Sequence, residues 1–162
     1  MTPQLQIRAA ILLETCRAKS LTIATAESCT GGLVAALLTS IPGSSDVVDC
    51  GFVTYSNNAK QKMLGVPAEI LKQHGAVSME CAIAMAQGAL KNSGASLTIS
   101  ITGVAGPSGG TTEKPVGLVH FACALKDGKT LHRKENFGAI GRDEVRNASV
   151  EVALSLLESQ AL

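Results

Sequence analysis

Apolar residues along this chain change their spacing repeatedly, from intervals of three or four positions to short continuous runs and back. The longer spacing predicts amphipathic helices, whereas short apolar runs rich in Val, Ile and Thr predict buried strands. Helices are predicted in this way over residues 4–18, 33–41, 56–64, 67–75, 78–92 and 142–157. Strands are predicted over residues 21–25, 47–55, 97–102, 116–125 and 130–137.

The order of these segments predicts the fold class. A strand–helix–strand unit comes early, and Asp127-Gly128 separates the last two strands as a hairpin turn would. We expect an α/β fold, a single three-layer domain over residues 1–162. A mixed β-sheet is flanked by helices, with a C-terminal antiparallel hairpin and a final helix. One face of the first helix should be buried, and its apolar residues are Leu5, Ile7, Ile11, Leu12 and Cys16.

Composition limits the function. Hydrophobic residues make up 46% and charged residues 17% of the 162, which is typical of a globular chain. The net charge is +1, Trp is absent, and one Tyr and three Phe are the only aromatic residues. Neither a basic surface nor a base-stacking platform for nucleic acid is therefore expected. The longest apolar runs are too short to cross a bilayer, so we expect no membrane partner.

The five cysteines are scattered, and no two of them form a Cys-x-x-Cys pair. This spacing predicts neither a disulfide framework nor a zinc site, so we expect reduced cysteines, no metal and no cofactor. Residues 1–8 lack the basic segment and apolar core of a secretion signal. Together these features predict a cytoplasmic protein.

Ser28 stands where a strand-like run gives way to a helix-like run, just before Gly31 and Gly32. The first N–H groups of a helix stabilise anions, and glycine lets a ligand approach the backbone closely. A hydroxyl at this junction is a candidate nucleophile, with the N–H groups at the Gly31-Gly32 helix start as its oxyanion hole. The alternative is that Ser28 or Thr30 only caps the helix.

Three further polar residues follow strand ends: Tyr55 and Lys60 after the second strand, and Thr102 at the end of the third. Ligands of α/β sheets bind outside the carboxyl ends of the strands. Lys60 is the only plausible general base near Ser28, because the three histidines occur elsewhere and burial can lower the pKa of a lysine. We expect the Ser28 hydroxyl and the Lys60 amine to lie about 2.6–3.2 Å apart. The alternative is an ordinary solvated lysine.

The segment 103–114 is rich in glycine and hydroxyl groups, so its backbone N–H groups could bind a phosphate. It lacks the Gly-Lys-Ser/Thr ending of a Walker A loop. Arg142 and Arg146 lie four residues apart at the start of the last helix, and guanidinium groups suit a phosphate or a carboxylate. The alternatives are a flexible loop and arginines that pair with the neighbouring Asp143 and Glu144.

Five segments of the chain, taken together and in this order, resemble one protein family. They are Ala26-Glu27-Ser28-Cys29-Thr30-Gly31-Gly32, residues 55–60, Gly75-Ala76-Val77-Ser78, Thr102-Gly103-Val104-Ala105-Gly106-Pro107 and Lys114-Pro115-Val116-Gly117. These segments are similar to those of the CinA C-terminal-domain family, and the resemblance covers nearly the whole chain. The domain that precedes this one in longer CinA proteins has no counterpart here, so the resemblance implies a stand-alone version.

The characterised activity of that family is nicotinamide-nucleotide amidohydrolase (NMN deamidase). The resemblance implies hydrolysis of the carboxamide of nicotinamide mononucleotide to nicotinate mononucleotide and ammonia, in pyridine-nucleotide recycling. It implies Ser28 as the nucleophile and Lys60 as the general base, with Tyr55 as a further residue of the catalytic site. Substrate contacts are expected from Gly31, Gly32, Thr102, Gly103, Gly106 and Arg142. We also expect a homo-oligomer.

Two other functions stay open at this point. One is a catalytically silent nucleotide-binding or regulatory member of the same family, and the other is a different amidase or esterase that uses the same Ser–Lys chemistry. The presence of both Ser28 and Lys60 favours an enzyme, because a pure binder needs no paired nucleophile and base. Release of ammonia from nicotinamide mononucleotide distinguishes these alternatives.

Overall fold

The structure is a computed structural model and describes residues 2–162. Its six helices are α1 (Pro3–Ala18), α2 (Leu33–Thr39), α3 (Asn57–Leu64), α4 (Ala68–His74), α5 (Met79–Asn92) and α6 (Arg142–Ala161). Its five strands are β1 (Ile23–Glu27), β2 (Val48–Val53), β3 (Leu97–Gly103), β4 (Leu118–Leu125) and β5 (Thr130–Asn136). A short 3-10 helix, Ser44–Asp46, precedes β2.

The strands form one sheet in the order β2-β1-β3-β4-β5. β1 is parallel to both of its neighbours, β2 and β3, whereas the β3–β4 and β4–β5 pairs are antiparallel. The chain leaves β1 toward β2 through α2, and then crosses to the other side of β1 to reach β3 through α5. This change of direction puts a topological switch point between β1 and β3, where α/β sheets commonly bind ligands.

Helices cover both faces of the sheet. α1, α2 and α6 pack over the face that carries the larger apolar cluster, which includes Ile99, Ile101 and Phe121. α5 covers the other face, where it meets small side chains and buried hydroxyls of the strands. Ser100 donates to the Ala82 carbonyl of α5 at 2.6 Å, so this buried hydroxyl is satisfied by the helix backbone.

The predicted fold class is confirmed, and the hairpin and the order of elements agree with the prediction. Most elements differ from their predicted bounds by one or two residues, as β2 does by ending at Val53 rather than at residue 55. The largest difference is in α6, which continues to Ala161 instead of ending at residue 157. None of the helices within residues 2–162 combines the length and apolarity that a membrane span requires.

The predicted buried face of α1 is wrong for two residues. Leu5, Leu12 and Cys16 are buried, but Ile7 and Ile11 are 60% and 61% exposed. In the described chain α1 packs mainly against two other helices, α2 and α6, so a narrow stripe of its surface is enough to complete the core. Ile7 and Ile11 lie outside that stripe.

Candidate active site

A cleft of about 310 Å³ lies at the carboxyl ends of the parallel strands. Ser28 follows β1, the helix that carries Lys60 follows β2, and Thr102 lies near the end of β3; all three residues line the cleft. Within the described residues no Asp or Glu lines it, whereas Lys60 and Arg142 do. The charge of the cleft is therefore suited to an anionic ligand.

Ser28 and Lys60 form a hydrogen-bonded pair inside the cleft. The Lys60 Nζ lies 3.0 Å from the Ser28 Oγ, which confirms the expected proximity, and it also donates to the Thr54 carbonyl at 2.9 Å. Lys60 is only 1% exposed, so it is not the solvated helix lysine of the alternative interpretation. The N-cap of α2 is Gly32, without a side-chain cap, so Ser28 is not a helix cap either.

The local sequence explains why Lys60 points inward. Ser56 caps α3 by accepting from the Ala59 N–H at 3.1 Å, which starts the helix directly after the β2 segment. Lys60 and Leu64 are four residues apart and therefore share the buried face, whereas Lys62 is exposed. Burial lowers the pKa of Lys60 from its usual value, and no carboxylate in the described chain forms an ion pair with it to oppose this shift.

Cys29 is the other potential nucleophile next to this pair. Burial raises the pKa of its thiol to about 12. Because the thiolate is the reactive form of cysteine, Cys29 is held in its unreactive state. The geometry of the site and the protonated state of the Cys29 thiol thus both favour the hydroxyl of Ser28, rather than that thiol, as the nucleophile.

The expected oxyanion hole at Gly31 and Gly32 is wrong. The Gly31 N–H donates to the Ser28 carbonyl at 3.0 Å, and the Gly32 N–H donates to the Glu27 carboxylate at 3.1 Å. Neither glycine lines the cleft. Their positive φ angles, 63° and 101°, instead allow the sharp turn that joins Ser28 to α2.

Arg142 and Tyr55 meet at the rim of the cleft. The Arg142 guanidinium donates to the Tyr55 hydroxyl at 2.8 Å and to the Gly106 carbonyl at 2.9 Å. Tyr55 is 59% exposed, and its hydroxyl contacts Arg142 rather than Ser28 or Lys60. Neither partner of the guanidinium carries a charge, so the positive charge of Arg142 stays available to a ligand. A cation in the first turn of a helix is electrostatically unfavourable, which is common at functional positions.

The glycine-rich segment forms one wall of the cleft through Gly103, Gly106 and their neighbours. A Cβ on Gly103 would lie 2.7 Å from the Leu118 carbonyl oxygen, so only glycine fits there. The Thr102 hydroxyl donates to the Ala76 carbonyl at 2.8 Å. Thr102 therefore lines the cleft while its hydroxyl holds residue 76 against the strand.

Glu27 and Arg146 take positions that the sequence did not predict. Arg146 donates to the Thr30 carbonyl at 3.1 Å, behind the Ser28 turn, and does not line the cleft. Glu27 is fully buried against the start of α2. The position of Glu27 five residues before a helix N-cap is a hint in the sequence, because carboxylates are stabilised at helix N-termini. In the part of the chain that the structure describes, no three His, Cys, Asp or Glu residues are arranged to hold a metal ion.

The fold and the cleft together define an α/β protein that brings a serine hydroxyl and a buried lysine amine together at the switch point of a mixed sheet. The chain belongs to the CinA family: the model of the CinA C-terminal domain matches residues 6–161.

Curated relatives fall into two length classes. The chain is 51% identical over 146 residues to a protein of Escherichia coli (strain K12) named nicotinamide-nucleotide amidohydrolase PncC, covering 90% of this chain and 88% of that protein. It is 53% identical over 135 residues to a CinA-like protein of Anaeromyxobacter sp. (strain K), covering 83% of this chain but only 33% of that protein. The chain thus spans about a third of the length of such CinA-like relatives.

Solved structures show the same fold. The crystal structure of the competence/damage inducible protein CihA from Agrobacterium tumefaciens matches with a TM-score of 0.96 and 48% identity, over 98% of this chain and 96% of that one. A CinA superfamily protein from Enterobacter cloacae matches with a TM-score of 0.93 and 31% identity, over 100% of this chain and 95% of that one.

Proposed function

We propose that this protein hydrolyses the carboxamide of nicotinamide mononucleotide, giving nicotinate mononucleotide and ammonia. The observation that carries the proposal is the 3.0 Å contact between the Ser28 Oγ and the Nζ of the buried Lys60. The relative named nicotinamide-nucleotide amidohydrolase, 51% identical over 90% of this chain, supports the choice of substrate. The reaction that we propose would belong to pyridine-nucleotide recycling.

The first half of the reaction transfers the acyl group to Ser28. The Ser28 oxygen attacks the carboxamide carbon while Lys60, as the neutral amine, takes the hydroxyl proton. The tetrahedral intermediate then collapses: the C–N bond breaks, and Lys60 returns the proton to the leaving nitrogen, which departs as ammonia. The nicotinoyl group of the nucleotide remains as an ester on Ser28.

The second half uses the same base. A water molecule attacks the ester carbon, and Lys60 takes its proton. The bond between carbon and the Ser28 oxygen breaks, and Lys60 returns the proton to that oxygen, so the free hydroxyl is restored. One water is consumed, and one ammonia and one carboxylic acid are released.

The oxyanion formed in both halves needs N–H donors that the protein does not already use. Cys29 follows the nucleophile directly and lines the cleft, and its N–H donates to no backbone carbonyl among residues 2–162. A backbone N–H immediately after the nucleophile forms part of the oxyanion hole in other serine hydrolases. We assign this role to the Cys29 N–H, in place of the Gly31 and Gly32 N–H groups.

Arg142 is the residue that we assign to the substrate phosphate, because its guanidinium lies at the cleft rim without a carboxylate partner in the described chain. Hydrogen bonds to a charged group contribute about 1.5–3 kcal/mol, so Arg142→Ala should raise the KM for the mononucleotide about 10- to 100-fold. The kcat should change little, because this contact exists before and during the reaction. Steady-state ammonia release measures both constants.

Nicotinamide riboside, which lacks the phosphate, is the matched control substrate for this prediction. Arg142→Ala should leave the kcat/KM for the riboside nearly unchanged. Arg133→Ala, at an exposed arginine of β5 that pairs with Glu135, is the matched control variant and should leave both substrates unaffected. Equal losses on nucleotide and riboside would mean that Arg142 does not hold the phosphate.

The pH dependence follows from the ionisation of Lys60. Only the neutral amine accepts the serine proton, so kcat should rise with pH along a single limb as Lys60 loses its proton. Because burial lowers the pKa of Lys60, the midpoint should fall below the ordinary lysine value of about 10.4. Turnover of the mononucleotide at saturating concentration across the pH range measures this limb. A profile that falls as the pH rises would exclude Lys60 as the base.

A further inference from the structure

Glu27 is a fully buried carboxylate whose charge has no ion-pair partner in residues 2–162. Its oxygens instead accept three backbone N–H bonds at the start of α2. These come from Gly32 at 3.1 Å, Val34 at 3.1 Å and Ala35 at 2.9 Å. A buried charge is costly unless hydrogen bonds satisfy it, and here the positive end of a helix provides them.

The peptide group between Glu27 and Ser28 is held from both sides by neighbouring strands. The Glu27 carbonyl accepts from the Thr54 N–H at 2.8 Å, and the Ser28 N–H donates to the Ile101 carbonyl at 2.9 Å. The end of β1 is thereby tied to the residue that follows β2 and to β3 itself. The Glu27 side chain adds the remaining constraint, because it ties the end of β1 to the first turn of α2.

Residues 28–31 are therefore a short link between two anchored elements. An ordinary Ser, Thr or Asp at the N-cap position would satisfy the helix start locally, without reaching back to the strand. Glu27 differs from such a cap, because its side chain also connects the strand that carries the nucleophile to the helix that follows it. The side chain of Ser28, which faces Lys60, projects from this short link.

We propose that Glu27 is a positioning residue of the active site, whose contacts with the first turn of α2 hold Ser28 against Lys60. This role rests on the proposed function in one respect, that Ser28 is the nucleophile. Glu27 does not line the cleft, so it acts through Ser28 and does not touch the substrate.

Two substitutions test the proposal. In Glu27→Gln an NH₂ group replaces one acceptor oxygen and faces an N–H donor. In Glu27→Asp the charge is kept, but the shorter side chain does not reach all the N–H groups. We expect kcat for nicotinamide mononucleotide to fall about 10- to 100-fold in both variants, because a displacement of about 1 Å costs this much in a positioned reaction. The KM and the pH midpoint of kcat should stay near the wild-type values.

Leu12→Ala, in the buried core of α1 and away from the cleft, is the control for lost stability. It should lower the Tm at least as much as the Glu27 variants while kcat below the unfolding transition is retained. A wild-type kcat in both Glu27 variants would overturn the positioning role. A wild-type kcat in Glu27→Asp alone would also overturn it, because the negative charge at residue 27, and not the placement of its side chain, would then determine kcat.

A crystal structure of Glu27→Gln makes the test independent of the substrate. We expect the start of α2 to shift and the distance from the Ser28 Oγ to the Lys60 Nζ to exceed hydrogen-bond reach. An unchanged 3.0 Å contact would overturn the proposal even if the wild-type protein released no ammonia. The absence of ammonia release by the wild type would instead count against the proposed function.

Discussion

Ser28→Ala is expected to fold, to bind nicotinamide mononucleotide and to release almost no ammonia. The substitution removes one oxygen whose hydrogen-bond partner is the Lys60 Nζ and leaves Arg142 and the glycine-rich wall in place. Loss of a nucleophile costs about 10³- to 10⁶-fold in kcat. Calorimetry of binding and an ammonia assay on the same preparation measure the two properties separately.

Ser149→Ala is the matched control for this prediction. Ser149 is a fully buried serine of α6 whose hydroxyl donates to the Val145 carbonyl at 2.7 Å, and it does not line the cleft. We expect it to keep wild-type turnover. If Ser28→Ala also kept near-normal turnover, Ser28 would not be the nucleophile, and a binding or regulatory role would become the better account.

Lys60→Arg should be nearly inactive while still binding the nucleotide. Arginine keeps the positive charge but does not lose its proton in the accessible pH range, so it cannot accept the serine proton. General-base catalysis contributes about 10²- to 10⁴-fold, which sets the expected loss in kcat. The ascending limb of the pH profile should disappear together with the activity, and measurement of kcat from neutral to alkaline pH checks both effects.

Lys62→Arg, on the exposed face of the same helix, is the matched control and should behave like the wild type. Thermal unfolding of both variants shows whether the larger guanidinium is tolerated at the buried position. Lys60→Met, which removes the charge and the base together, covers the case in which Lys60→Arg does not fold. Substantial turnover by a folded Lys60 variant would show that another group takes the proton.

Much of the fold and part of the site could be predicted from the sequence. The spacing of apolar residues predicted every strand and helix that surrounds the cleft, because each of these elements keeps one main pattern of burial along its length. Ser28 and Lys60 could be paired because each follows a strand and ligands gather at strand ends. Neighbouring parallel strands β1 and β2 then bring the two residues together.

The features that the sequence did not predict depend on how the elements pack against one another. The spacing of residues along the chain carries no information about that packing. Gly31 and Gly32 have the composition of an anion-binding helix start, but the carboxylate of Glu27 already accepts the Gly32 N–H. Ile7 and Ile11 have helical spacing, but no element within residues 2–162 covers that side of α1. In both cases the local pattern was correct, and the outcome depends on a tertiary contact that is present for Gly32 and missing for Ile7 and Ile11.

Burial of the Lys60 side chain is energetically unfavourable for the folded protein. A lysine ammonium inside a protein loses hydration, and this loss is what lowers the pKa of Lys60. The Thr54 carbonyl and the Ser28 hydroxyl satisfy the amine without supplying a compensating negative charge. The arrangement favours the neutral amine, the form that a general base requires.

Ammonia release from nicotinamide mononucleotide by the purified wild-type protein, with a metal chelator present, tests the central claim most directly. We expect one ammonia and one nicotinate mononucleotide for each nucleotide consumed, with no added metal or cofactor. If calorimetry showed that the nucleotide binds but no ammonia or acid product formed, the hydrolytic function would be contradicted.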